Sequence, residues 1–62
     1  MNISTITGIQ RALLNEGYNP GDIDGVIGAE TMQAVNAFQR DNNLPVDAYL
    51  NIETIEKLGV EL

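Results

Sequence analysis

Apolar residues recur at steps of three and four along much of the chain, which is the spacing of an amphipathic helix that buries one face. In the first such segment, Ile6, Ile9 and Leu13 form the apolar stripe. The pattern predicts a helix over residues 5–16, and Gly17 can take the left-handed conformation that closes a helix.

Two further segments predict helices. The second helix is expected over residues 28–42, where Met32, Val35 and Phe38 lie on one face. The third is expected to begin after Asn51, a residue that favours the N-cap position. The other end signals are Ser4 or Thr5 at the start of the first helix, Asn43 after the second and Gly59 after the third.

The segment between the first two helices, residues 17–28, is dense in turn-forming residues: four Gly, one Pro, one Asn and two Asp. It predicts a loop with one turn at residues 19–21 and another at residues 24–25. Because Ile23, Val26 and Ile27 are apolar, parts of this loop are expected to pack into the core.

Part of this loop is repeated later in the chain. Residues 24–31 and 47–54 both carry an Asp-led turn, then an apolar residue (Ile27 or Leu50), then a helix start with Thr in its first turn. The predicted fold is therefore all-α, a compact three-helix bundle built from a short helix plus two loop–helix repeats, in a single domain over residues 1–62.

The amino-acid composition argues against two classes of binding partner. The chain has three basic and nine acidic residues, a formal net charge of -6 and a pI near 4.1. Nucleic acids and anionic membranes are bound largely through Lys and Arg, so neither is an expected partner. No apolar run approaches the length of a membrane span, and no signal peptide is recognisable in this chain. Without Cys, the core must form without disulfides.

The chain contains few of the residue types that commonly act as catalytic nucleophiles and bases. The chain has no His and no Cys, and its single serine, Ser4, lies near the N-terminus. A nucleophile needs an adjacent base, which leaves no obvious nucleophilic centre. A short chain also has little room for both a core and a water-excluding cleft. The sequence predicts no enzymatic activity and no cofactor.

Asp22, Asp24 and Gly25 have the spacing of positions three, five and six of a calcium-binding loop. The first and twelfth positions then fall on Pro20 and Thr31, which supply no carboxylate. No metal site is predicted. The favoured interpretation is a turn in which the Asp24 side chain accepts backbone N–H groups and Gly25 takes a positive φ.

Four other polar side chains have both a structural and a binding interpretation. Gln10 and Gln39 lie beside apolar helix positions, where a glutamine usually hydrogen-bonds the backbone of a nearby loop. Tyr18 and Tyr49 can stack on a sugar face, and each can also pack on the core.

Taken together, these residues resemble a known family, the peptidoglycan-binding domain, the type 1 module found beside wall hydrolases and in phage endolysins. The strongest segment is residues 17–39, which reads "GY…DGVIG…T…AV.AFQ". The second repeat departs from the family's Asp-Gly-x-x-Gly pattern, because Ala48 and Asn51 replace the two glycines. The other residues that carry the resemblance are Ile9, Gln10, Leu13, Leu44, Val46, Asp47, Glu53, Thr54 and Leu58.

The resemblance implies a non-catalytic module, expected to be monomeric, that binds peptidoglycan through its glycan or stem peptide and anchors a tethered or associated protein such as a wall hydrolase. The implied location is the bacterial cell envelope or periplasm, or a phage lysis protein acting on the wall. The alternative is a protein–protein docking or pro-segment module on the same fold. The implied ligand-binding residues are Tyr18, Asp24, Gly25, Gly28, Thr31, Gln39, Tyr49 and Asn51.

Overall fold

The computed structural model describes residues 1–46 and 50–62, and this part of the chain contains three α-helices and no strand. They are α1 (Ile3–Asn15), α2 (Ala29–Asp41) and α3 (Ile52–Leu58). The all-α prediction is confirmed, and the predicted ends of α1 and α2 differ from the observed ones by one or two residues. Sequence expectations for residues 47–49 lie outside the described residues.

The N-terminal ends of the helices are capped differently. Neither Ser4 nor Thr5 caps α1; the Asn2 side chain does, and its Oδ1 accepts the Thr5 N–H at 2.8 Å. The apolar stripe gave no signal for this earlier start, because Ile3 adds an exposed residue rather than a core residue. Asn51 caps α3 as predicted, whereas Gly28 caps α2 without any side-chain hydrogen bond.

All three helices end in the same way. In each, a residue with positive φ follows the last turn, and the next residue donates its N–H to a carbonyl five residues back. The predicted left-handed residues are confirmed. The residues with positive φ at the helix ends are Gly17 (92°), Asn43 (56°) and Gly59 (80°). The bonds that follow them run from Tyr18 N to Leu13 O at 2.8 Å, from Leu44 N to Gln39 O at 2.9 Å, and from Val60 N to Ile55 O at 3.3 Å.

The core lies where α1 packs against both α2 and α3. Phe38, on α2, is only 2% exposed and is the largest of the most deeply buried side chains. Val26 does not join the core as predicted and is 62% exposed, because the turn at Gly25 directs it outward. The buried apolar residues are Ile9, Leu13, Ala34, Val35, Phe38 and Ile55, with Tyr18, Met32, Leu44, Leu50, Leu58 and Val60 packed against them.

None of the helices in the described ranges has the length and apolar character needed to cross a lipid bilayer.

Candidate functional site

The loop before α2 is fastened to α1 by one buried glutamine. Gln10 has no exposed surface. Its Oε1 accepts the Gly25 N–H at 3.0 Å, and its Nε2 donates to Val26 O at 2.9 Å. The same Nε2 lies 3.2 Å from both Thr31 Oγ1 and Asp24 Oδ1. The first junction, residues 24–31, is therefore held in one conformation by α1, and the predicted loop-bonding role of Gln10 is confirmed.

Thr31 connects this network to the start of the loop. Its hydroxyl donates to Pro20 O at 2.9 Å while it faces Gln10, so both its donor and its acceptor capacity are used inside the protein. Pro20 belongs to the first predicted turn, where the Asn19 side chain accepts the Gly21 N–H at 3.0 Å and Gly21 has φ 82. One threonine thus ties this turn to the first turn of α2.

The turn at Asp24 and Gly25 has the predicted structure. Asp24 Oδ1 accepts the Val26 N–H at 2.9 Å, and Gly25 has φ 77. A Cβ on Gly25 would also lie 2.6 Å from Ile3 Cγ2, so glycine is required here both for φ and for close approach to α1. The hydrogen bond from Val26 N–H, followed by that from Gln10, lowers the pKa of Asp24 below its ordinary value of 3.8.

Acid titration tests this arrangement. A carboxylate whose pKa is lower in the folded state stabilises the protein above its unfolded pKa, and the stabilisation is lost as pH falls through the folded value. We therefore expect the melting temperature to fall as the pH is lowered below 3.8, and to fall less steeply in Asp24→Asn.

The matched control for that experiment is Asp22→Asn, which removes one exposed carboxylate from the same loop. Thermal melts followed by circular dichroism between pH 2 and pH 7 compare the three proteins. If Asp24→Asn and Asp22→Asn change the fall in melting temperature at low pH equally, the Asp24 hydrogen bonds do not stabilise the Asp24 carboxylate.

The second junction, residues 50–54, repeats this design. Gln39 on α2 is fully buried, and its Nε2 donates to Thr54 Oγ1 at 3.1 Å. The Thr54 hydroxyl and backbone N–H both donate to Asn51 Oδ1, at 2.7 and 2.9 Å. Gln39 Oε1 has no partner among the described residues. Each junction therefore pairs a buried glutamine of the preceding helix with a threonine in the first turn of the next one.

Tyr18 belongs to a different part of the surface. Its hydroxyl donates to Asp41 Oδ2 at 2.6 Å, and its ring stands edge-on to Phe38 with centroids 5.6 Å apart. The bond to Asp41, reinforced by partial desolvation, raises the pKa of Tyr18 above its ordinary value of 10.0. Glu16, Tyr18, Phe38 and Asn42 line an open cavity of about 160 Å³ beside this bond.

The predicted ligand-binding residues therefore divide into groups. Asp24 and Gly28 are both exposed and belong to the first junction. Gly25, Thr31 and Gln39 are buried, and they shape the loops from within. Tyr18 and Asn51 are half-buried and lie toward the C-terminal end of α2. Tyr18 bonds to Asp41, and Asn51 is linked through Thr54 to Gln39. Asp41 is about 15 Å from Thr31 along the helix axis. Tyr49 lies outside the described residues.

Gln10 and Thr54 were absent from the predicted site, although each fixes a junction. A signal for them exists in the sequence. In Ile9-Gln10 of α1 and again in Phe38-Gln39 of α2, a glutamine directly follows a core residue. A polar residue that adjoins the apolar stripe in the helix before each junction indicates a buried bond to the segment that follows.

Metal binding has no support in the described ranges, which contain no cluster of three or more His, Cys, Asp or Glu able to hold an ion. Asp24 Oδ1 accepts one hydrogen bond from the Val26 N–H in the loop and one from Gln10 Nε2 on α1, so this oxygen holds the turn.

Two curated proteins are similar in sequence to this chain. It is 39% identical over 51 residues to the localization factor PodJL of two Caulobacter vibrioides strains, NA1000 / CB15N and ATCC 19089 / CIP 103742 / CB 15. That alignment covers 82% of this chain and 5% of PodJL, so the chain corresponds to a small part of that protein.

A solved structure has the same fold. The crystal structure of SltB3 from Pseudomonas aeruginosa in complex with NAG-anhNAM-pentapeptide aligns with a TM-score of 0.84 and 34% identity. The alignment covers 94% of this chain and 16% of SltB3.

The family profile described as a peptidoglycan binding domain matches residues 4–58, which is nearly the whole chain. The matched range includes all three helix cores and both junctions. The chain therefore belongs to the peptidoglycan binding domain family.

Proposed function

We propose that this domain binds peptidoglycan without cleaving it and holds an attached or associated protein, such as a wall hydrolase, on the cell wall. The observation that carries the proposal is the family match across both junctions. Support comes from SltB3, which shares the fold at 34% identity and whose crystal structure contains the peptidoglycan fragment NAG-anhNAM-pentapeptide. The proposed place of action is accordingly the cell envelope or the periplasm, or the wall as reached by a phage lysis protein.

The proposed contact surface follows from exposure. Asp24, Gly28, Tyr18 and Asn51 reach the surface, and we extend the set to Tyr49 from the sequence pattern. The buried Gly25, Thr31 and Gln39 act in this proposal by fixing the shape of that surface. Thr31 and Gln39 are eight residues apart on α2, about 12 Å along its axis. A ligand that touches both junctions is therefore extended, as a disaccharide peptide is.

The first junction also suits an acidic group of a stem peptide. No side chain caps α2, and Gly28 is exposed, with open space where a Cβ would lie. The first N–H groups of a helix attract a carboxylate through their hydrogen bonds and the helix dipole. This attraction is local, and it offsets the general repulsion between a chain of net charge -6 and an acidic polymer.

The absence of catalysis in this proposal rests on the residues available and on the small size of the chain, which leaves little room for the water-excluding cleft that paired carboxylates would need. The chain contains no His and no Cys, and Ser4 is exposed on the first turn of α1. None of these supplies the nucleophile-and-base pair that covalent hydrolysis needs. A weak binding site is sufficient for anchoring when a tether raises the effective concentration.

Co-sedimentation with purified sacculi tests the proposal. We expect the wild-type chain to pellet with sacculi and Gly28→Asp to show roughly tenfold weaker retention, since an aspartate at this position competes with the ligand carboxylate for the helix N–H groups. The fold should tolerate this change, because Gly28 has φ -98 and ψ -168 and Asp is a favoured N-cap.

The matched control is Lys57→Gln, which gives the same net charge at an exposed position on α3. It should pellet like the wild type. A wild-type chain that pellets no better than an unrelated acidic protein would refute wall binding. Equal retention of wild type and Gly28→Asp would instead remove the first junction from the contact surface.

A second candidate function is docking to another protein, which the similarity to the localization factor PodJL and the net charge of -6 favour. An NMR titration distinguishes the two candidates. Muropeptides that shift no resonance, combined with capture of a specific protein partner, would favour docking over wall binding.

A further inference from the structure

The cavity beside Tyr18 lies away from the contacts proposed at the first junction. It has a volume of about 160 Å³ and is lined by Glu16, Tyr18, Phe38 and Asn42. We infer that this cavity binds a primary ammonium group, and that in the wall the group is the side-chain amine of a diamino residue in the stem peptide. The second part of the inference rests on the proposed function.

The cavity lies where two helices end. Glu16 is the C-cap of α1 and Asn42 is the C-cap of α2. The C-terminal end of a helix carries a partial negative charge, which favours a cation nearby. The last turn of α1 contains no basic residue, and Arg40, in the last turn of α2, does not line the cavity. Both helix ends therefore favour a positive ligand here.

Two carboxylates add to this field. Glu16 lines the cavity, and Asp41 adjoins it through its bond with the Tyr18 hydroxyl. The lining residues carry no positive charge to offset them. Because the site is open to solvent, each carboxylate contributes modestly, and binding depends on several weak terms acting together.

The hydrogen-bonding groups that line the cavity also favour a ligand that donates hydrogen bonds. The single donor of Tyr18 is used on Asp41 Oδ2 at 2.6 Å, and Asn42 Nδ2 donates to Phe38 O at 2.9 Å. The lining therefore offers mainly acceptors: the phenol oxygen, the Asn42 amide oxygen and the Glu16 carboxylate. An ammonium group has three donors and no acceptor, which complements this set.

The aromatic rings and the cavity size favour ammonium over a metal ion. Two of the four lining residues, Tyr18 and Phe38, are aromatic, and their rings supply no oxygen ligand to a metal ion. Calcium needs six to eight oxygens. A volume of about 160 Å³ corresponds to roughly five liquid waters, enough for an ammonium group with part of its alkyl chain.

The first experiment uses a small probe that does not depend on wall binding. Nα-acetyl-lysine methylamide is titrated into the full chain, and NMR shifts are followed at Tyr18, Phe38 and Asn42. The expected result is millimolar binding at these residues, roughly two- to fivefold weaker in Glu16→Gln and absent with the Nε-acetylated probe. Glu56→Gln, which removes an exposed carboxylate from α3, is the matched control and should bind like the wild type.

The second experiment compares a muropeptide carrying a free diamino-acid amine with the same muropeptide acetylated at that amine. The inference expects the acetylated form to bind several-fold more weakly and to leave the cavity resonances unshifted. Equal binding of both forms would overturn the inference and leave the proposed function intact. A lysine probe that shifts no cavity resonance would overturn it as well. Cavity binding of the lysine probe without any muropeptide binding would refute the wall ligand and the proposed function together.

Discussion

Phe38→Ala is expected to lower the free energy of unfolding by about 3–5 kcal/mol, the usual range for truncating a buried aromatic residue. Phe38 is 2% exposed, lies among the core residues of α1, α2 and α3, and meets the Tyr18 ring edge to face. Truncation removes this contact and leaves a cavity that the helices cannot fully close. Because a small domain has only about 5–15 kcal/mol of stability, this loss is a large fraction of the total.

Urea denaturation followed by circular dichroism measures this effect. Leu14→Ala is the matched control, since Leu14 is a large apolar residue of α1 that is 51% exposed, and its loss should cost no more than about 1 kcal/mol. Phe38→Leu should lie between the two. If Phe38→Ala denatures at the same urea concentration as the wild type, the core is assigned wrongly.

Gln10→Ala is expected to cost about 2–4 kcal/mol, although it removes a polar residue. The substitution leaves the buried Gly25 N–H without its acceptor and Val26 O without its side-chain donor. Desolvated groups without a partner are the main source of the cost. The loop before α2 should also lose its fixed shape, so retention on sacculi should decline even where the variant remains folded.

The comparison variant is Gln33→Ala, which removes an exposed glutamine from α2 and should change stability by less than about 0.5 kcal/mol. A double-mutant cycle with Thr31→Val separates coupling from simple truncation, and a coupling energy of about 0.5–3 kcal/mol is expected for residues in one network. Equal costs for Gln10→Ala and Gln33→Ala would show that the network does not hold the loop.

Much of the fold was predictable, because it depends on patterns that are local in the sequence. The stripe of Ile9 and Leu13 identified α1, and the left-handed positions at Gly17, Asn43 and Gly59 identified the helix ends. The error at the start of α1 has a local cause as well. Asn2 begins the helix one turn before the apolar stripe, where periodicity carries no signal.

The candidate site was predicted less completely, because a sequence pattern does not state which face of a loop a residue occupies. Gly25 and Thr31 stand at the same spacing whether they contact a ligand or hold the loop, and only the structure shows that both are buried and hydrogen-bonded within the protein. Tyr18 was grouped with them through the motif, yet its hydroxyl bonds to Asp41 near the far end of α2. Such long-range placement depends on how the helices pack, which periodicity alone does not determine.

The two glutamine–threonine pairs have a consequence for how such domains diversify. Gln10 and Thr31 fix one loop, Gln39 and Thr54 the other, and the two pairs share no residue. Either loop can therefore accumulate substitutions while its neighbour keeps its geometry, as the replacement of two family glycines by Ala48 and Asn51 illustrates. One scaffold can thus keep the geometry of one junction while the sequence around the other changes.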